Sequence, residues 1–142
     1  MRKTFLTLLA LGMPFVATAA DNSPIGRWKT FDEETGKVMT IAEVYQAQNG
    51  KLAAKIVEAV DPSAATCSKC GGAKKGKPTI GMPILWNLSP VDGGWGGGEG
   101  YKPSQGLQFK AKSVKLVNGG NKLEVTGCKF VICKTQTWVR AD

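Results

Sequence analysis

Four cysteines hold most of the chemical potential of this 142-residue chain: Cys67 and Cys70 in C-S-K-C, then Cys128 and Cys133 in C-K-F-V-I-C. An even number of thiols in a small exported domain is first a disulfide framework. Four cysteines allow three pairings, and the local ones are favoured. Cys128 and Cys133 flank four residues between two strand-like segments. A hairpin would set them opposite each other, near the Cα separation of ~4.4–6.8 Å that a disulfide spans. Cys67 and Cys70 would close a small ring in a loop. Two other chemistries compete for the same residues. A redox C-x-x-C usually sits at a helix N-terminus after a strand, where the dipole lowers the first thiol's pKa. Here Gly71-Gly72 and then Ala73-Lys74-Lys75-Gly76 follow, a poor helix start. Four thiolates could also hold zinc tetrahedrally, but the C-x4-C spacing and an oxidising compartment disfavour it.

The chain has no histidine. That excludes a Ser-His-Asp triad, a Cys-His pair and any imidazole metal site. Carboxylates could still do acid–base work, and Asp32, Glu33 and Glu34 cluster. They precede Thr35-Gly36, where a turn is expected, so they read as solvated turn residues. No base–nucleophile pair can be named, no metal or cofactor is called for, and the chain reads as a non-enzyme.

The N-terminus sets the compartment in which this chemistry would run. Arg2 and Lys3 precede an apolar run from Phe5 to Val16, and Ala17, Thr18, Ala19 and Ala20 follow. This is the pattern of a cleaved signal peptide over residues 1–20, with the cut after Ala19 or Ala20. The run is shorter than the ~20 residues of a membrane-spanning helix, and no later segment is long and apolar enough to span. The mature chain, 21–142, is one domain destined for the periplasm or the medium. Without Arg2 and Lys3 it keeps 17 basic and 11 acidic residues, net +6. Such a charge favours anionic envelope surfaces, and export removes nucleic acid as a partner.

Strands must position these residues. Val38–Ala47 is rich in β-branched and aromatic residues, and Asn49-Gly50, a two-residue hairpin signal, turns the chain into Lys51–Val60. Asp61–Pro78 is a loop, a candidate lid that a disulfide would stiffen. Thr79–Trp86 resumes an apolar course, with Pro83 at a strand edge or bulge. Gly93–Gly100 contains six glycines around Trp95. It lacks the setting of a phosphate loop and suits sharp bending at a barrel corner. Leu107–Val117 alternates, Asn118-Gly119-Gly120 turns, and Lys122–Thr126 pairs with Thr135–Arg140 around the second cysteine pair. About eight antiparallel strands result. Closing them into a barrel would hide the edges of so small a sheet.

Several short motifs occur in a fixed order: Gly26-x-Trp28-x-x-x-Asp32, Gly50-x-Leu52 with Lys55-Ile56-Val57, Gly81-Met82-x-Ile84-Leu85, Trp95-x-Gly97-Gly98, Leu123-x-Val125-x-Gly127 and Gln136-Thr137-Trp138-x-Arg140. Together they resemble the bacterial exported family called domain of unknown function 2147, over roughly Ile25 to Arg140. The resemblance implies a small calycin-like, lipocalin-related β-barrel with no activity to carry over. In such barrels a G-x-W opens the first strand, and a basic residue near the end lies over the indole. Trp28 and Arg140 hold those places here, and cation–π attraction would close one barrel end. Family members commonly carry an aromatic residue where this chain has Cys128, and Gly-Arg where it has Cys133-Lys134. The last hairpin is therefore expected to be disulfide-bonded here and not in others.

The leading functional expectation is a binding module for a small apolar or amphipathic ligand, with Tyr45, Ile56, Trp86, Trp95 and Phe109 as candidate pocket walls. The alternative is a solid-core envelope interaction protein that uses its basic 74–77 and glycine-rich 93–100 loops. A thiol–disulfide oxidoreductase through Cys67 and Cys70 ranks last. Neither the ligand nor the oligomeric state is written in the sequence.

Overall fold

The computed structural model describes Gly12 and residues 22–141. The expected leader and its cleavage site lie outside them, Gly12 apart. Eight strands follow in chain order: β1 (Gly26–Phe31), β2 (Val38–Gln46), β3 (Leu52–Ala59), β4 (Pro83–Val91), β5 (Gly94–Lys102), β6 (Leu107–Val117), β7 (Lys122–Lys129) and β8 (Ile132–Arg140). Each pairs antiparallel with its chain neighbour, and β8 returns to β1 to close the barrel. The all-β, eight-stranded reading of the sequence is the architecture found.

Alternation decides which side chains enter the barrel. Trp28, Ala42, Val44, Ala54, Ile56, Leu85, Leu88, Ala111, Val114, Leu123, Val125 and Trp138 make one interior cluster. Trp28, Ala42, Ala54, Ala111 and Leu123 have no exposed surface. Small residues stand among large ones, which is how a narrow barrel fills with its own side chains.

Two segments differ from their expected form. The glycine-rich stretch is neither a loop nor a corner: Gly94–Lys102 is a full strand between β4 and β6. Its glycines allow close approach. A Cβ on Gly100 would run into the Phe109 ring, and one on Gly127 of β7 would stand 2.6 Å from the same ring. The aromatic side chain of Phe109 thus occupies volume that two strands leave empty. The turn at Asn49-Gly50 is also not a two-residue turn. The Ala47 amide donates to the Lys51 carbonyl at 2.8 Å and the Gly50 amide to Ala47 at 2.9 Å. Only Gly50, at φ +80°, is left-handed there, so one glycine suffices to reverse the chain.

The loop between β3 and β4 is packed rather than free. The Cys67 amide donates to Lys77, the Thr79 amide to Ala65, and the Thr79 hydroxyl to the Ala64 carbonyl at 2.6 Å. Beneath it lies a second small core of Cys67, Cys70, Met82 and Tyr101, with Trp86 against it. Such satellite clusters form under long loops. The strand expected from Thr79 starts only at Pro83, where a residue without an amide proton costs no ladder bond.

Candidate functional site

The two barrel ends are built differently. At one end the Arg140 guanidinium lies 4.3 Å from the centroid of the Trp28 ring. It donates to the carbonyls of Gly120 and Ser23 at 2.9 and 2.8 Å, while the Trp28 indole donates to Pro24 at 2.8 Å. The segment before β1 is thereby tied across that end. Every donor named has a partner.

The other end is split. β1 and β8 pair only at Trp28 with Arg140 and Lys29 with Val139. Beyond Lys29 they separate, and a bulge at Thr30/Phe31 bends β1 along β2. A cleft of about 410 Å³ opens in the gap, lined by Phe31, Asp32 and Glu33 from one side and Lys134 to Trp138 from β8. That volume lies in the lower part of the ~300–1,000 Å³ range of small-molecule sites.

The polar groups of the cleft are arranged unequally. Asp32 is spent on its own turn, accepting from the amides of Glu34 and Thr35 at 2.9 and 2.8 Å. The Thr35 amide, then the Thr35 hydroxyl, hold its pKa below the ordinary value, and the Glu34 amide adds to them. Glu33 is the exposed turn residue expected, and from that turn it also reaches across the barrel mouth. One of its carboxylate oxygens accepts from Lys102 Nζ at 2.5 Å and from Gln136 Nε2 at 2.6 Å. The bond from Lys102, then that from Gln136, lowers its pKa, and Lys134 nearby adds to the shift. The turn after β1 is joined to β5 and β8 at the mouth by this one carboxylate.

Trp138 differs from all of these. It is buried to 5% exposure on the cleft wall, and its indole N–H has no hydrogen-bond partner. A buried donor left unmade costs about 1–3 kcal/mol. The same indole body packs in the interior cluster. Trp138 therefore joins an apolar surface to an unused donor.

None of the candidate walls named from sequence lines this cleft. Ile56 belongs to the interior cluster, with Trp95 and Phe109 packed against it. Tyr45 lies under the Lys55 ammonium, 5.0 Å from its ring centroid. Trp86 packs on the loop core and donates to Glu99 at 3.2 Å. Both cysteine pairs are disulfides, Cys67–Cys70 and Cys128–Cys133. Cys67 is fully buried and Cys70 nearly so, which keeps the first pair out of reach of a thiol substrate. Glu33, Lys102, Gln136 and Trp138 were not singled out as ligand residues. A signal existed: alternation puts Lys134, Gln136 and Trp138 on one face of the last strand, polar side chains among apolar ones.

Comparison with known proteins follows the same lines. A family model described as "Uncharacterized protein conserved in bacteria (DUF2147)" matches residues 26–140. The chain belongs to this family. Among solved structures, the DUF2147 barrel is similar to one whose title reads "Protein HP1028 from the human pathogen Helicobacter pylori belongs to the lipocalin family". The likeness has a TM-score of 0.69 at 24% identity and covers 84% of each chain. It shows a shared lipocalin-like fold. A search of curated proteins gives no match.

Proposed function

We propose that this DUF2147 protein is an exported binding module that takes a small amphipathic ligand in the cleft between β1 and β8. The single observation that carries the reading is Trp138, a residue of that cleft's wall whose buried indole N–H has no partner. It calls for an acceptor. Lys134 offers an ammonium at the same cleft, where Asp32 is taken up by its own turn and Glu33 by Lys102 and Gln136, so a carboxylate head group is the one to test. Phe31 and the Trp138 ring offer apolar contact for a short hydrocarbon body. The lipocalin-like fold is consistent with small-ligand binding, and the two disulfides suit an oxidising compartment. No helix among the described residues is long and apolar enough to cross a membrane.

A medium-chain fatty acid, decanoate, is the probe. Titration calorimetry is expected to show binding, and Trp138→Phe, which keeps a ring but removes the donor, is expected to weaken it about tenfold or more. Methyl decanoate, lacking the charge, should bind more weakly than decanoate. Equal affinity for wild type and Trp138→Phe would remove the cleft from the account.

A further inference from the structure

The hairpin that joins β7 to β8 ends in a tip unlike any other turn of the barrel. Phe130, Val131 and Ile132 are 93%, 95% and 65% exposed. Lys129 pairs with Ile132, so Phe130 and Val131 make a two-residue turn. Phe130 has φ +54°, in the left-handed region. Turns of this kind favour glycine or asparagine, because a bulky side chain is strained there. An aromatic and a β-branched residue in these places contradict turn chemistry and also raise exposed apolar area. The Cys128–Cys133 disulfide bridges the strands immediately behind the tip. The tip is thus held out from the body as a fixed apolar point.

The hairpin around the tip carries charge of one sign, and Glu99, which lines the hollow beside Phe130, is paired with Lys110. From Val125 to Ala141 the chain has Lys129, Lys134 and Arg140 and no acidic residue. Lys129 precedes the three apolar side chains directly, and Lys134 follows them after Cys133. An apolar tip with a collar of ammonium groups matches a bilayer surface, where lipid tails lie beneath anionic head groups. Strand pairing of Lys129 with Ile132 leaves few backbone groups to be stranded in an apolar layer.

We propose that the β7–β8 tip is a membrane-docking finger, which inserts Phe130, Val131 and Ile132 into the interface of an anionic phospholipid bilayer while Lys129 and Lys134 bind head-group phosphates. This goes beyond the cleft and does not depend on it. Lys134 borders both features, so the test leaves it unchanged.

The test is co-sedimentation of the oxidised full-length mature chain with vesicles rich in phosphatidylglycerol, against vesicles of phosphatidylcholine. Wild type is expected to bind the first and to release in about 0.5 M salt, where the Debye length falls to roughly 4 Å. Phe130→Asn with Val131→Ser places residues suited to the turn, so the fold should keep or raise its Tm. This double variant is expected to lose about thirtyfold or more in partitioning. Lys129→Gln is expected to lose about fivefold. Binding of the double variant equal to wild type would overturn the proposal, as would a wild type that ignores phosphatidylglycerol at low salt. A wild-type dimer that the double variant dissociates, without vesicle binding, would also overturn it and assign the tip to self-association.

Discussion

Trp28 and Arg140 stand at opposite ends of the barrel's chain, and their contact joins the termini of the closed sheet. The guanidinium there covers an indole face and serves carbonyls of Gly120, Ser23 and Ile25 at once. Lysine has the charge but neither the plane nor the fork of donors. Arg140→Lys is therefore expected to destabilise by about 2 kcal/mol, lowering the Tm by several degrees. A melt within one degree of wild type would deny the contact its structural role. This pair was legible because two short motifs, G-x-W and W-x-R, mark the two ends. Glu33 was not: its neighbours Asp32 and Thr35 form a real turn, and its partners Lys102 and Gln136 lie 69 and 103 residues away. Nothing local separates a carboxylate that stays in its turn from one that crosses the barrel. Trp138 was visible only as a motif residue, since an unmade hydrogen bond is a property of the packed state.

At the scale of elements, alternation and turn residues were enough to mark most strands, because half-buried strands display their burial as a period of two. β5 escaped that rule. Glycine has no side chain with which to show a face, so a strand made of glycines reads as a bend. Its partner is the informative element: Phe109 on β6 occupies the volume left by Gly100 and Gly127. The β3–β4 loop poses the reverse case. Its length and C-x-x-C suggest a lid, yet the buried disulfide and Tyr101 make it a small core. Lys74 covers the Tyr101 ring at 4.0 Å. Reduction of the disulfides is accordingly expected to open residues 61–82 to proteolysis first, while far-UV circular dichroism keeps the barrel signal. Cleavage confined to other turns, with this loop protected, would contradict the packing described.

For the molecule as a whole, one end of the barrel is tied shut, the middle is filled, and the other end is split between β1 and β8. The carboxylate that holds the split end titrates in acid. Glu33 has its pKa lowered from an ordinary 4.5, chiefly by the bond from Lys102 and then that from Gln136. A carboxyl with a depressed folded pKa adds stability that is present above its unfolded value and is lost as pH falls through the folded one. The Tm is therefore expected to be flat from about pH 7 to 5 and to fall below about pH 4.5. Glu33→Gln should make that fall shallower, and a Tm that rises on acidification would contradict the bridge. Exposure of both partners, 22% for Lys102 and 37% for Glu33, keeps the effect modest.

The most direct measurement of the cleft is a two-dimensional ¹H–¹⁵N spectrum recorded while decanoate is added. Four tryptophans give four indole N–H signals, and Trp138→Phe assigns the one that disappears. The account predicts that this signal shifts far more than those of Trp28, Trp86 and Trp95, and that its exchange with water slows at saturation. A Trp138 signal that stays in place while another indole moves would put the ligand elsewhere on the barrel.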